Sequence, residues 1–446
     1  MGRVTEKSRA SLSSAFITCV IFAAVWYVSS NILRYTMLMQ EQKGIFLNTP
    51  DYYRQLFSDP WPIANLVSDF LVQFYRTAGL GAAIVALTVT LVYLATEKLI
   101  RFLPVNRLVG ALAASVSWYV IAHANTTLTE AFFLLSSIVV LLISAFIPYE
   151  KMKAMVKLRE KHKSAMDGMA VVVIVIAGVL IVRNEKIREN ERWYAVEYLT
   201  RVHDWGTVLA IATPQLCKSD MSYVPYALLA LNATGQLGEK VFDYPVTSSE
   251  SLGETGEDSW SSFSLRSVIY ETIGCPNEAI HQAFQLGMSL PHGTSFGILR
   301  QLIRLEIERG DYQLAIKHAE ILGRSPFNRK TAKAAIKMAK EGAKAGKSSD
   351  DEGRENDTMI SNSPRYNLSG ILLNCKEANS AAVDRLLVHL LIAGDMDSFR
   401  KTINEFYGTV SQDRLPKYFR QALTQGATHA IASQDGAQTV LAPGQS

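Results

Sequence analysis

The chain predicts an all-α protein in two parts: a five-helix transmembrane bundle over residues 1–183 and a water-soluble helical-repeat domain over residues 184–430. Three observations predict it. Long uncharged runs crowd into the first 183 residues, while the remainder has the composition of an ordinary soluble protein. No segment beyond Asn184 alternates as a strand would. A short turn motif returns in that second part at the spacing of stacked helical hairpins.

The first run, residues 10–33, carries no charge and exceeds the ~20 residues that a spanning helix needs. Its basic start (Arg3, Lys7, Arg9) also suits a signal peptide. The apolar core is too long for one and no A-x-A site closes it, so we read an uncleaved anchor. Residues 34–76 read as a polar loop punctuated at Asn48-Thr49-Pro50 and Asp59-Pro60-Trp61-Pro62. Within it, Ile63, Leu66, Val67, Phe70, Leu71 and Phe74 recur at helical spacing. That pattern fits a helix lying in the membrane interface or one packed over the bundle.

Residues 77–96, 108–129 and 131–149 give the second, third and fourth spans. Gly79, Gly81, Ala82, Ala83 and Ala86 in the second would permit close helix approach. Asn125-Thr126-Thr127 and Glu130 fall at the tight turn between the third and fourth. His123 is the one titratable side chain deep in this region, and its place near a helix end favours capping over a proton relay. The fifth span, residues 166–183, is short: Gly168 to Val182 cover only about 22 Å, which Lys163 and Arg183 would extend by snorkelling.

Basic residues set the orientation. One side receives residues 1–9, 98–107 and 150–167, with three, three and six Lys or Arg. The other receives residues 34–76, with four over a longer loop, and residues 124–130, with none. The amino terminus is therefore expected in the cytoplasm, and an odd number of crossings puts residues 184–446 outside it, in the periplasm of a bacterial inner-membrane protein. The net charge of +4 reflects this topology and does not imply nucleic-acid binding.

In the soluble part the motif reads His203-Asp204-Trp205-x-x-Val208, Gly274-Cys275-Pro276-Asn277-Glu278-Ala279, Gly310-Asp311-Tyr312-x-x-Ala315 and Gly394-Asp395-Met396-x-x-Phe399. Anchors 208, 279 and 315 lie 71 and 36 residues apart, two units and one unit of a hairpin period. Glycine suits a left-handed helix end, and Asp caps the helix that follows. Here the sequence resembles the tetratricopeptide repeat: ERGDYQLAIKHAEILGRSP (308–326) matches its turn, second helix and trailing proline. Leu299 stands where that repeat has a large aromatic, and Ile303 where it has a small residue beside Leu302, so the expectation is a tetratricopeptide-like α-solenoid of degenerate repeats. Residues 243–262 and 345–366 read as mobile acidic loops and residues 431–446 as a disordered tail. Lys333, Lys337, Lys340 and Lys344 form a basic helix stripe, read as a solvated face.

The layout also resembles a family of uncharacterised bacterial inner-membrane proteins. The likeness rests on FLNTPDYYRQLFSDP (46–60), FLVQFY (70–75) and RLLVHLLIAGDMDSFRKTINEFYG…LPKYFRQAL (385–423). It implies N-terminal spans and a helical-repeat C-terminus, and carries no catalytic residues.

Chemistry-bearing motifs are absent from the sequence: no P-loop, dinucleotide fingerprint, G-x-S-x-G or H-E-x-x-H, and no histidine pair at ligand spacing. Cys19 lies in an apolar run; Cys217, Cys275 and Cys375 are scattered, which leaves room for one bridge. We assign no catalytic, cofactor-binding or metal residues and expect a bilayer and a protein partner. The alternative is a polytopic glycosyltransferase acting on lipid-linked sugars, with Asp51 and Glu41, ahead of Asp59 and Asp69, as its acids.

Overall fold

The computed structural model describes residues 2–103, 105–148, 163–253, 259–290, 292–345, 380–408 and 414–425. Every regular element among them is a helix. The chain divides into two compact units: unit 1 is Met1–Tyr194, Ser295–Gly297 and Leu322–Lys330, and unit 2 is Ala195–Thr294, Ile298–Ile321 and Thr331–Ser446.

Unit 1 begins with α1 (Gly2–Ile32), α2 (Arg34–Lys43), α3 (Pro50–Ser58) and α4 (Pro62–Val72), then α5 (Ala78–Leu99), α6 (Asn106–Ala124), α7 (Thr127–Phe146) and α8 (Lys163–Arg183). Among the described residues, five stretches are long and apolar enough to cross a membrane: Ser13–Ile32, Ala78–Leu99, Asn106–Ala124, Thr127–Phe146 and Ala165–Arg183. They coincide with the five expected runs, shifted by a few residues at most ends.

Two contacts fix α1 antiparallel to α5: Ser14 Oγ donates to Glu97 (3.1 Å), and Trp26 Nε1 donates to the Gly79 carbonyl (2.9 Å). The short fifth helix runs parallel to α6 along its length. Arg107 pairs with Asp167 (2.7 Å), Trp118 packs over Gly178, and Asn184 Nδ2 donates to the Tyr119 hydroxyl (3.1 Å). Close approach comes from small residues at the seams, since Ala82, Ala86, Ala111 and Ala114 are all fully buried. A Cβ on Gly81 would lie 2.9 Å from the Met37 sulfur, whereas Gly79 faces open space. The outward face is apolar: Val139, Leu142, Ile143, Val175 and Leu180 are exposed, the reverse of a soluble protein's surface.

Two local expectations are corrected. Residues 34–58 are not a polar loop but fold as α2 and α3, while the helix expected through Ile63 to Phe74 forms as α4 and a 3₁₀ turn, Gln73–Arg76. Pro50 fits the first turn of α3, the Thr49 hydroxyl caps it by accepting from the Tyr52 N–H (3.3 Å), and Tyr52 and Leu56 are buried. Glu130 is not at the turn between the third and fourth spans. Asn125 ends α6 in the left-handed region (φ +52°), Thr126 caps α7, and Glu130 falls in the first turn of α7, buried.

Unit 2 continues with α9 (Glu185–Arg201, shared with unit 1), α10 (Trp205–Ile211), α11 (Pro214–Ser219), α12 (Val224–Ala233), α13 (Leu237–Lys240), α14 (Trp260–Thr272) and α15 (Pro276–Met288). It closes with α16 (Phe296–Arg309), α17 (Tyr312–Gly323), α18 (Arg329–Lys344), α19 (Ser380–Ala393), α20 (Met396–Tyr407) and α21 (Lys417–Gln425).

The recurrent motif is one recurrent backbone turn. His203, Gly274, Gly310 and Gly394 take φ of +61°, +79°, +80° and +73°. In each, the next residue's N–H reaches back five residues to a helix carbonyl, as Asp204 to Leu199 (2.9 Å) and Asp311 to Glu306 (2.8 Å). A fifth copy at Gly235 (φ +67°), with Gln236 N–H to Leu231 O (2.8 Å), falls between the first two. It lies where the 71-residue gap left room for one more unit. Anchors Val208, Ala279, Ala315 and Phe399 are at most 1% exposed.

An added Cβ on Gly394 would meet nothing within 4 Å, so Gly394→Ala isolates the backbone effect. It should lower the stability of unit 2 by about 1 kcal/mol, read as a lower denaturation midpoint of the full chain. An unchanged midpoint would mean that the turn relaxes out of the left-handed region.

The loop expected at 243–262 is ordered over its first part. Residues 243–253 bury Tyr244, Val246 and Leu252, whose apolar side chains outweigh the polar composition, and Arg385 donates to the Leu252 carbonyl. The tail 431–446, all but the first residue of 345–366, Cys375 and the basic residues 151–161 lie outside the described residues.

Candidate functional site

At the end of the bundle where α5 and α7 begin, unit 1 carries a layer of buried polar pairs. Tyr75 and Thr88 (3.3 Å) both donate to Glu130. The Tyr52 hydroxyl donates to Asp69 at 2.5 Å, Ser68 and Thr127 share a hydrogen bond at 2.6 Å, and Gln73 Oε1 accepts from Ser325 (3.1 Å). Burial, reinforced by the neighbouring carboxylate, pushes both tyrosine phenols far above their ordinary value. They act as hydrogen-bond donors that hold the acids in place.

The sequence-nominated acids separate. Asp51 is exposed and paired with Arg54 (3.1 Å), whereas Glu41 is buried beside Gln42, which donates to it at 2.8 Å. Asp69 is the one tied into the polar layer. His123 is exposed and stacked on Tyr119, 5.9 Å between rings, which fits an interfacial side chain. Among the described residues no group of His, Cys, Asp or Glu is arranged to hold a metal ion.

Glu191 caps α2 from a distance in sequence, accepting the N–H groups of Tyr35 (2.6 Å) and Thr36 (2.9 Å) and the Thr36 hydroxyl (2.8 Å). Burial pushes its carboxyl up to about 7, against those three bonds and Arg34. A raised carboxyl favours the protonated fold. Its contribution is complete below the ordinary value of 4.5 and is lost as pH rises through about 7. Unit 1 should therefore lose on the order of 3 kcal/mol across that window, and Glu191→Gln should flatten the pH profile of its melting midpoint. An identical profile in the variant would remove Glu191 as the titrating group.

Unit 2 gathers a second cluster from three hairpins. Arg201 Nη1 donates to Ser264 Oγ (2.8 Å), and its guanidinium lies over the Trp260 ring, 5.5 Å from the centroid. Glu271 takes a forked pair of bonds from Arg304 and faces His203 Nε2 at 3.4 Å. Gln301 donates to Ser267 (2.8 Å), and His203 stacks on Trp205 with 5.1 Å between rings. Burial lowers Arg201 to about 10 and holds His203 below its ordinary value, so the imidazole is neutral at pH 7. The Arg304 side chain keeps 38% of its surface, His203 keeps 33%, and Arg300 is exposed beside them. The result is a half-open wall of arginine and aromatic side chains on a rigid helical base, a composition enriched at protein interfaces.

In the sequence His203 stands out only as a turn residue, and Arg201, Trp260, Glu271 and Arg304 belong to no motif. These four lie 11 to 103 positions apart, so no local motif announces them. The available signal was a non-glycine residue at the left-handed position, which singles out the first turn.

The described residues define an all-helical architecture with five membrane-length apolar helices and a unit of capped helical hairpins. A model of a family of unknown function, DUF6057, matches residues 8–158 and 119–442, and the chain belongs to that family. No curated protein and no solved structure matches it.

Proposed function

We propose that the protein is a membrane-anchored helical-repeat scaffold, its tetratricopeptide-like α-solenoid binding a protein partner at the outer face of the cytoplasmic membrane, in envelope or polysaccharide assembly. One observation carries the reading. The starts of the spans in α1, α6 and α8 meet the end of α5 around Arg107, Glu97, Asp167 and Ser13. In the sequence, the basic stretches 1–9, 98–107 and 150–167 lead into or out of the helix ends of that cluster, which supports α8 entering from the basic side and leaving on the other. Five left-handed helix turns in unit 2 support the repeat reading. The disulfide at Cys275 supports an oxidising compartment, since such bonds are rare in the cytosol.

Reporters fused after residues 165 and 200 test the layout: opposite sides support it, and the same side rejects the fifth crossing. Binding is tested on the full chain in intact cells, with a photocrosslinker at exposed Arg300. A discrete protein adduct that disappears in Arg304→Glu supports the scaffold reading. Labelling that Arg304→Glu leaves unchanged rejects this wall as the binding face.

A further inference from the structure

Unit 1 contains an element that the five spans do not require: the helical pair α3 and α4, joined by Asp59-Pro60-Trp61. We propose that this pair is a re-entrant hairpin whose tip inserts Phe57, Trp61 and Ile63 into the outer leaflet, with phospholipid acyl chains as its ligand. The inference rests on the membrane reading above and adds a sixth, non-spanning lipid contact to it.

Register along α7 gives the direction of insertion. Ser68, two turns into α4, bonds to Thr127 at the first residue of α7. Trp61, at the start of α4, packs edge-on against Phe132, 5.6 Å between rings. Phe132 lies five residues beyond Thr127, about 7.5 Å further along the helix axis. The chain therefore descends from Ser68 to Trp61 in the direction in which α7 enters the apolar layer. Phe132 is itself partly exposed on the outward face of α7, so the patch around Trp61 continues the surface that lipid covers.

The hairpin is sorted along its length as an inserted element would be. Phe57, Trp61 and Ile63 at the tip are 62%, 67% and 63% exposed. The exposed Asp51–Arg54 pair and the Tyr52–Asp69 bond lie toward the open end. Tyr52, Leu56, Ala64, Ser68 and Leu71 fill the inner face. Trp61 holds a left-handed backbone (φ +65°) between two prolines, a conformation costly for a bulky residue. That strain aims the indole at Phe132. Asp59 limits the depth, because its carboxylate must stay with the headgroups while the neighbouring rings reach the first acyl carbons.

The test places nitroxide labels singly at Phe57→Cys, Ile63→Cys, Asp51→Cys and Leu142→Cys in the full chain with Cys19 and Cys217 replaced by alanine, reconstituted in phosphatidylethanolamine–phosphatidylglycerol vesicles. Collision with oxygen reports lipid, and collision with a nickel chelate reports water. The expected oxygen-to-nickel ratio at positions 57 and 63 is several-fold above that at 51 and approaches that at 142. If 57 and 63 match 51 while 142 stays in lipid, the hairpin is not inserted although the bundle is embedded. If 142 also faces water, the membrane reading fails and takes the inference with it. Protection from both probes, with spin–spin broadening at 57 and 63, would give the patch to a second copy of the chain and overturn the assignment to lipid.

Discussion

Arg107→Ala is expected to be the most damaging single change in the helical bundle, lowering its stability by about 3 kcal/mol or more. Arg107 Nη1 donates to both Asp167 oxygens (2.7 Å) and to Ser13 Oγ (2.6 Å), while Nε donates to Glu97 (3.3 Å). The side chains of Arg107, Glu97 and Asp167 retain only 15%, 12% and 22% of their surface. Removing the cation leaves two poorly solvated carboxylates facing each other, and that residual charge dominates the loss. Replacing all three ionic side chains with leucine should therefore recover most of the melting midpoint that the single variant loses. The same cluster holds α8 against α1 and α6, so Arg107→Ala should also move a reporter after residue 200 toward the side of the reporter after residue 165. A single variant as stable as the parent, with its reporters still on opposite sides, would show that the cluster neither stabilises nor orients the fifth helix.

How much of this could be read from the chain follows from which forces are local. The five apolar runs were legible because a spanning helix must be apolar over its whole length, whatever its neighbours. The hairpin turns were legible because a left-handed glycine followed by a capping Asp is a short-range solution to unpaired helix-end groups. The Gly235 turn escaped because Gln236 supplies no side-chain cap and neither an aromatic nor a proline, as in the Gly274 copy, follows it. Helix α4 was legible in the helical spacing of Ile63 to Phe74, whereas the helices over residues 34–58 escaped because α2 draws its N-terminal cap from Glu191, more than 150 positions away. Glu130 was misplaced for a related reason. A carboxylate near a turn looks solvent-facing until Tyr75 and Thr88 arrive from other elements to satisfy it. The Arg201–Trp260–Glu271–Arg304 wall was invisible to motif search because each hairpin contributes one or two of its side chains.

The second large effect tests whether the hairpin anchors are interchangeable. Phe399→Ala should cost unit 2 about 4 kcal/mol, since a fully buried aromatic leaves a cavity that rigid helices cannot close. Phe399 packs edge-on against Phe419 (5.9 Å between rings), itself fully buried. Phe419 in turn fills the space over Gly238, where even a Cβ would lie 2.8 Å from the ring. The other anchors are small because their partners come closer: the Ala279 carbonyl accepts a 2.8 Å bond from Ser267 on the facing helix α14. Ala279→Phe should therefore destabilise by overpacking, by roughly 1–3 kcal/mol, and combining it with Phe399→Ala should restore nothing. Chemical denaturation of the full chain in nanodiscs, followed by tryptophan fluorescence, reads all three variants. Recovery in the double variant would mean that the hairpins share one deformable core, against a set of separately fitted turns.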